Sequence, residues 1–307
     1  MKIKRVEISQ IINLLGNEIV RVDGIDFNVF IDNIPDPSCV SDTSLDWINA
    51  NKPNKQDIAQ TSKAKVLVVD AEVEYTNALA NEKKTLIVVN NPRVSMAKIA
   101  TKYFVDSFAS GIHPSAIIDK DARIDKTAYI GPGCIVGKAT IGAGTVLVAN
   151  VTVYNDVTIG ERCMIQAGAV IGTDGLGCSR DSEGVLTKFP HLGGVVMGND
   201  IEVGANCQIA KGSFSDTIIE DGCKMNGLCF IAHNCHLGKN VWITGNTMLC
   251  GSVRVGRNTT IFSSVIIRDQ STIGEQVTIG MGSVVTKDIP AGETWVGNPA
   301  KKFEKNK

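Results

Sequence analysis

Apolar residues recur at every sixth position along more than half of this chain. The later run of these apolar anchors consists of Ile219, Met225, Ile231, Leu237, Ile243, Leu249, Val255, Ile261, Ile267, Ile273, Ile279 and Val285. The earlier run consists of Ile112, Ile118, Ile124, Ile130 and Val136 and, after a slip of one residue, Ile141, Leu147, Val153, Ile159, Ile165 and Ile171. This interval does not fit the period of an α-helix and is typical of short strands joined by tight turns.

A small or β-branched residue lies four positions after most anchors, as Val241 and Thr247 do. Each unit would therefore turn one large and one small side chain inward. Three units would form a triangular coil of about eighteen residues, and such coils stack into a solenoid. We interpret the cysteines at the small position as apolar core residues rather than metal ligands or nucleophiles. They are Cys134, Cys163, Cys207, Cys223, Cys229 and Cys235.

The repeat divides the chain into residues 1–108, which lack it, a β-helix at 109–288, and a short tail at 289–307. The first part predicts a small α/β domain, with helices at 8–16 and 93–104 and buried strands at 65–70 and 85–91. The polar, glycine-rich segment 172–194 interrupts the β-helix and is expected to leave the coil as a long loop without secondary structure, a kind of segment that is often functional.

Composition narrows the class of protein further. A net charge of −1 provides no electrostatic basis for binding nucleic acid. The first residues, MKIKRVEISQ, lack the apolar segment of a signal peptide, and no stretch of about 18 apolar residues suggests a membrane span. The nine cysteines include no CxxC pair and are interpreted as reduced thiols. We therefore predict a cytoplasmic protein with at most peripheral membrane contact.

Several segments resemble one family of hexapeptide-repeat acyltransferases. They are GTDGLGC, FPHLGGVVMGNDIEVGANCQIAKGSFSDTIIEDG and IAHNCHLG in the repeat region, with SLDWINANKP, KVLVVD and LIVVNNPRVSMAKIA before it. The chain resembles the UDP-3-O-(3-hydroxyacyl)glucosamine N-acyltransferases of lipid A synthesis. This resemblance implies a mainly β fold, the left-handed parallel β-helix, preceded by a small α/β uridine-binding domain. It also implies a homotrimer with sites between subunits.

The implied reaction transfers an acyl group from a thioester donor to the amine of a UDP-linked amino sugar, in lipid A or surface glycan synthesis. The donor would be an acyl carrier protein or CoA thioester, acting as co-substrate, and no cofactor or metal is predicted. Four features depart from the family. Asn226 replaces an Asp, Ala210 and Lys211 replace an Asp-Arg pair, and a second His is missing near Asp269 and Gln270. In addition, the sequence ends soon after GNPAKKF, where the family is expected to continue into helices that help to dock acyl carrier protein. The carrier, acyl length and acceptor sugar therefore stay open.

His233 is the predicted general base. It lies two residues after the anchor Ile231 and before the small residue Cys235, so its side chain should point outward near a turn. An imidazole is suited to take a proton from an attacking amine. Gly251 lies eighteen residues later, one coil on, where its N–H would approach the thioester carbonyl. The resemblance assigns the same roles to both positions and places Asn226 where the family has an Asp that orients the base.

The remaining candidates concern substrate binding. The resemblance implies that Trp47 stacks on uracil with Asn49 or Asn51 reading its edge, although Trp47 also suits a domain core. Asp174, Gly175 and His191 belong to the 172–194 segment, which would shape the pocket or make trimer contacts. His236 is expected in a turn, as a weaker candidate. Lys301 and Lys302 would meet the phosphates of a CoA donor, or simply be solvated.

Two other functions are compatible with a β-helix. One is an acetyl-CoA-dependent N- or O-acetyltransferase of surface polysaccharide synthesis. The other is non-catalytic: a scaffold, or a metal-binding trimer of the carbonic-anhydrase type. The metal-binding alternative requires three histidines at ligand spacing, and His191, His233 and His236 do not match that spacing.

Overall fold

The computed structural model describes residues 5–304, which form two compact units that divide between Ser107 and Phe108. The first unit is an α/β domain around a four-stranded sheet. In spatial order its strands are Ile19–Asp23, Thr85–Val89, Val66–Val69 and Leu45–Trp47, and the last three are parallel. The helices are Ile8–Leu15, Lys55–Thr61, Asn77–Asn81 and Pro92–Tyr103, with 3-10 turns at Gly16–Glu18 and Pro37–Cys39 and a separate antiparallel pair, Val6–Glu7 with Phe30–Ile31. The two helices and two buried strands predicted from the sequence are present.

The second unit is a three-sided parallel β-helix, and each side is one sheet. The first face contains Gly111–Ile112, Tyr129–Ile130, Val146–Leu147, Met164–Ile165, Glu202–Val203, Lys224–Met225, Trp242–Ile243, Thr260–Ile261, Thr278–Ile279, Thr294–Val296 and Lys301–Lys302. The second face contains Ile117–Ile118, Ile135–Val136, Thr152–Val153, Val170–Thr173, Gln208–Ala210, Phe230–Ile231, Met248–Leu249, Ile266–Ile267 and Val284–Val285. The third face contains Arg123–Ile124, Thr140–Ile141, Val157–Ile159, Val195–Met197, Thr217–Ile219, His236–Leu237, Arg254–Val255 and Thr272–Ile273.

The interior of the prism is built as the repeat predicts. The second residue of nearly every strand is an anchor whose side chain is buried, and the small residue four positions later is buried beside it. All six cysteines at the small position are buried and unpaired, which confirms them as core residues. Ile112 is 51% exposed because it belongs to the first coil, which has a neighbouring coil on one side only.

The corners between faces depend on left-handed backbone conformations. Non-glycine residues there have positive φ, for example Asn234 at 60° and Asn246 at 59°. Asn is among the residues that tolerate this conformation best, and Gly fills other corners, as Gly222 does. The corner residues therefore let the chain turn sharply every six residues without breaking the stack of coils.

Two features of the β-helix differ from the prediction. The 172–194 segment is not structureless, because it contains an antiparallel hairpin of Gly177–Arg180 with Leu186–Phe189. The prism also continues past residue 288: Thr294–Val296 pairs with Thr278–Ile279, and the indole of Trp295 is buried over the last coil. A hydrophobic residue in the tail can extend the first face without the six-residue spacing, which is why the repeat alone missed it.

In addition, the sequence prediction overlooked a second insertion, residues 211–216. It lies between strands Gln208–Ala210 and Thr217–Ile219, so it leaves the coil at the same edge as the 172–194 segment. Within residues 5–304, no helix is long and apolar enough to cross a membrane.

Lys84 provides a test of the first unit. Its side chain is 1% exposed, and its ammonium donates hydrogen bonds to the carbonyls of Ala59 (3.1 Å), Gln60 (2.8 Å) and Ser62 (2.7 Å) at the end of helix Lys55–Thr61. We expect Lys84→Met to lower the free energy of unfolding of this unit by about 3 kcal/mol, because buried carbonyls lose their donor. Hydrogen exchange of peptides from this unit in increasing urea measures the change. The control Lys63→Met alters an exposed side chain and should change the value by less than about 0.5 kcal/mol.

Candidate active site

His233 lies at the edge between the second and third faces of the prism. It follows strand Phe230–Ile231 and precedes strand His236–Leu237. Ile231 and Cys235 are buried on either side of it, whereas the His233 imidazole is only half-buried. The ring is therefore accessible from outside the coil.

Asn234 determines which nitrogen of His233 carries the proton. The Oδ1 atom of Asn234 accepts hydrogen bonds from the N–H of Ser213 (3.0 Å) and its hydroxyl (2.9 Å), and the Nδ2 atom donates to the carbonyl of Ser215 (2.9 Å). These contacts orient the amide, so the group that faces His233 Nδ1 at 3.0 Å is an acceptor. Nδ1 must then be the protonated nitrogen, and Nε2 keeps its lone pair. This is the tautomer that a general base requires.

Gly251 lies directly beside this ring, in the next coil. A Cβ atom at Gly251 would be 2.6 Å from both Cε1 and Nε2 of His233, so no other residue fits without moving the ring. The carbonyl of Gly251 accepts a hydrogen bond from the N–H of Gln270 (2.8 Å), whereas its own N–H makes none within residues 5–304. A free backbone donor thus lies next to the free nitrogen of the imidazole.

The two insertions meet this corner from the preceding coils. The N–H of Leu192 donates to the carbonyl of Ser213 (2.6 Å), and the N–H of Gly193 donates to that of Gly212 (3.0 Å). At the base of the 172–194 segment, Asp174 forms ion pairs with Lys188 (2.8 Å) and Lys211 (3.1 Å). These cations lower the pKa of Asp174. The second insertion therefore supports both the first insertion and, through Ser213, the amide of Asn234.

His191 is brought by the first insertion against His233. The ring centroids are 5.2 Å apart, and the ring planes are inclined by 72°, in an edge-to-face arrangement. His191 is 5% exposed, and a Cβ atom at Gly175 would lie 2.5 Å from its Nε2. Burial, the neighbouring His233 and, to a smaller extent, Lys188 lower the pKa of His191, although Asp174 and the Phe189 backbone oppose the shift. His191 is therefore neutral at neutral pH.

Comparison with known proteins identifies relatives of this chain. The family described as "Bacterial transferase hexapeptide (six repeats)" matches residues 138–173. The UDP-3-O-acylglucosamine N-acyltransferase of Coxiella burnetii is 36% identical over 185 residues, which cover 54% of this chain and 54% of that protein. The protein of the same name from Pseudomonas syringae pv. tomato is 34% identical over 206 residues, or 60% of this chain and 56% of that protein. Over more than half of its length, the chain is similar to the UDP-3-O-acylglucosamine N-acyltransferases. The resemblance predicted from the sequence is confirmed, and the matched part spans little more than half the length of these relatives.

Solved structures support the same fold. The UDP-N-acetylglucosamine O-acyltransferase of Moraxella catarrhalis has a TM-score of 0.58 and 29% identity, covering 62% of this chain and 73% of that one. The corresponding protein of Acinetobacter baumannii has the same TM-score, identity and coverage. The predicted left-handed parallel β-helix is thereby confirmed.

Asn226 and His236 do not contact the His233 ring within one chain. Asn226 is exposed at the corner after the first face, and its Oδ1 accepts a hydrogen bond from the N–H of Gly227 (2.8 Å). Within one chain, therefore, Asn234 and not Asn226 contacts the His233 ring. His236 was expected in a turn, but it begins a strand on the third face and pairs with Glu220 through Nε2 (2.8 Å). Strand residues alternate between outside and inside, so His236 points away from the prism interior.

The predicted substrate-binding residues of the first unit and the tail lie at or near the protein surface. Trp47 is half-buried at the end of its strand and packs against the core of the first unit. Asn49 is half-buried, and its Oδ1 accepts from the N–H of Asn51 (3.2 Å), which is exposed. Lys301 and Lys302 are exposed on the last strand, and Lys302 pairs with Glu293 (2.6 Å). Their binding roles remain predictions.

The sequence analysis missed Asn234, Ser213 and Ser215. A signal for them was available, because ten positions separate the anchors Ile209 and Ile219 where the repeat predicts six. That excess marks an insertion at the edge where His233 lies one coil later. Only the folded chain shows that the insertion reaches Asn234.

Gly251→Ala tests the contact between Gly251 and His233. Because the added methyl group would overlap the ring, we expect the imidazole of His233 to be displaced, losing its hydrogen bond to Asn234. A crystal structure of the variant measures the displacement. Gly177→Ala is the matched control, since its Cβ atom would lie an ordinary 3.5 Å from the nearest atom, in Phe189. An unmoved His233 ring in Gly251→Ala would contradict the packing described here.

Proposed function

We propose that this protein transfers an acyl group from a thioester to the amine of a UDP-linked amino sugar, in lipid A or surface glycan synthesis in the cytoplasm. The observation that carries the proposal is that His233 Nε2 lies beside Gly251, whose N–H has no hydrogen-bond partner within residues 5–304, while Asn234 holds Nδ1 (3.0 Å). A base and an oxyanion donor side by side are what acyl transfer needs. The similarity to UDP-3-O-acylglucosamine N-acyltransferases supports the same reaction.

In this mechanism the amine nitrogen attacks the thioester carbonyl carbon. His233 Nε2 takes the proton from the nitrogen as the C–N bond forms, and the Gly251 N–H donates to the oxyanion. When the tetrahedral intermediate collapses, the C–S bond breaks, and the imidazolium returns its proton to the departing sulfur. The products are an N-acyl sugar and a free thiol. Asn234 Oδ1 stabilises the transient imidazolium by accepting from Nδ1–H.

Substrate binding is assigned by resemblance to the relatives. Trp47, with Asn49 or Asn51, would bind the uridine, and Asp174, Gly175 and His191 would shape the pocket near the base. His236 remains a weaker candidate for substrate contact. Lys301 and Lys302 would meet the phosphates of a CoA or carrier-protein donor. Acyl-CoA and acyl carrier protein are both retained as donors.

His233→Ala is expected to reduce kcat by about 10³-fold or more, because removal of a positioned base costs about 10²- to 10⁴-fold. Mass spectrometry of the N-acyl product, formed from UDP-amino sugars and a panel of acetyl-CoA, acyl-CoA and acyl carrier protein donors, measures it. The matched control is His113→Ala, an exposed histidine in the first coil, which should leave kcat unchanged. Full activity of His233→Ala would refute the mechanism. Turnover with acetyl-CoA alone would favour a sugar acetyltransferase.

We further propose that the protein is a homotrimer, held together through the second face. The outward residues of this face are mostly apolar: Ile117, Ile135, Val170, Phe230, Met248, Ile266 and Val284. On the third face they are mostly polar: Arg123, Thr140, Thr158, His236, Arg254 and Thr272. An exposed apolar sheet face of this length requires cover, and a second copy of the chain provides it. His233 lies at one edge of that face, so a neighbouring copy would complete the cleft.

Met248→Asp combined with Ile266→Asp tests the interface. These side chains are 42% and 43% exposed in the single chain, so a charge there is tolerated by the monomer but not by an apolar contact. We expect the trimer to dissociate into monomers in analytical ultracentrifugation. Thr158→Asp, on the third face, should leave the trimer intact. A stable trimer of the double variant would show that another face forms the interface.

A further inference from the structure

His191 is the one buried histidine in the described part of the chain, and the proposed reaction does not use it as the base. Within residues 5–304, neither Nδ1 nor Nε2 of His191 makes a hydrogen bond of good geometry, although both atoms are shielded from solvent and the Phe189 backbone lies near the ring. Buried polar atoms without partners are rare and costly, so they require an explanation. The edge-to-face contact with His233, at 5.2 Å between centroids, offers one.

The surroundings of His191 keep its ring in one place. Gly175 lies against Nε2, where a Cβ atom would come within 2.5 Å. The hydrogen bond from the N–H of Leu192 to the carbonyl of Ser213 (2.6 Å) anchors the next residue in the chain. The His191 ring therefore limits the movement of the His233 imidazole on one side, and Gly251 lies against the imidazole on another side.

The charges around His191 disfavour its protonation. Asp174 is the nearby anion, but its carboxylate is occupied by Lys188 and Lys211. Lys188 also acts against a positive charge on His191, as does His233. A protonated His191 would repel the imidazolium that His233 becomes when it accepts a proton. The same contact that positions His233 would then oppose its reaction.

We propose that His191 is a positioning residue, which holds the His233 ring beside Gly251 and supports turnover only while its own ring is neutral. This inference rests on the proposed acyl transfer and assigns no proton transfer to His191. Two consequences follow: loss of the ring should impair His233 even when both histidines are neutral, and protonation of His191 should add a second ionisation to the acidic limb of the pH profile.

Kinetics of His191→Ala and His191→Gln test both consequences. At pH 8, we expect His191→Ala to reduce kcat by about 10²-fold, as misplacement of a reacting group does, with smaller changes in the KM values. His191→Gln fills much of the site with a neutral planar amide and should recover kcat to within about tenfold of the wild type. Retention of full kcat by His191→Ala, or an equal loss in both variants, would overturn the positioning role.

The acidic limb of the pH–rate profile tests whether His191 must be neutral, separately from its role in packing against His233. If both imidazoles must be neutral, kcat/KM of the wild type should fall by about 100-fold per pH unit once both titrate, and that of His191→Gln by about tenfold. His113→Gln is the control and should retain the wild-type slope. Circular dichroism and sedimentation at each pH restrict the comparison to folded protein. A tenfold slope in the wild type, or a 100-fold slope in His191→Gln, would overturn the requirement for a neutral His191.

A measurement without substrate distinguishes failure of this inference from failure of the proposed function. Diethyl pyrocarbonate modifies neutral imidazoles, and peptide mass spectrometry reports the rate at each histidine. We expect His233 to react several-fold faster in His191→Ala than in the wild type, because its ring is released, while the rate at His113 stays unchanged. An unchanged rate at His233 would overturn the positioning role whatever reaction the protein catalyses.

Discussion

The structure depends on the stacking of each coil directly upon the one before. Parallel backbone hydrogen bonds between coils, such as that from Ser252 N–H to the His233 carbonyl (2.8 Å), keep residues eighteen positions apart side by side. Strands in a sheet are about 4.8 Å apart, so two residues at the same corner of successive coils are held in contact. The alternating large and small side chains of the core pack inside this stack and bury its interior. A rigid, regular frame is what allows a glycine in one coil to approach an imidazole in another closely.

At the corner of His233, two insertions interrupt the regular repeat and bring polar side chains to the candidate base. Two insertions leave the coil at the same edge, in consecutive coils, and their backbones hydrogen-bond to each other. Ser213 and Ser215 from the second insertion use their hydrogen bonds to orient Asn234. Asn234 serves two purposes, because its positive φ forms the corner and its side chain sets the tautomer of His233. The same residue thus links the turn geometry of the repeat to the protonation state of the candidate base.

The insertions also explain why a buried histidine is tolerated next to the site. In the part of the chain that the structure describes, the ring nitrogens of His191 make no hydrogen bond of good geometry, while backbone hydrogen bonds and the ion pairs of Asp174 with Lys188 and Lys211 hold the segment around them. Buried polar groups without partners are rare in native proteins, so their presence beside the candidate base is informative. On the regular third face, by contrast, His236 has a partner for its Nε2 atom, the carboxylate of Glu220.

The sequence by itself determined the β-helix, the inward residues and the outward position of His233, because a strict six-residue repeat allows few arrangements of anchors and corners. It also determined the pairing of His233 with Gly251, which follows from the eighteen-residue length of one coil. Only the tertiary structure decided what surrounds that pair. The hairpin within 172–194, the contact of His191 with His233 and the support of Asn234 by Ser213 depend on how two irregular insertions fold onto each other. No repeat governs those segments, and their contacts join residues up to about forty positions apart, so local pattern and spacing could not reveal them.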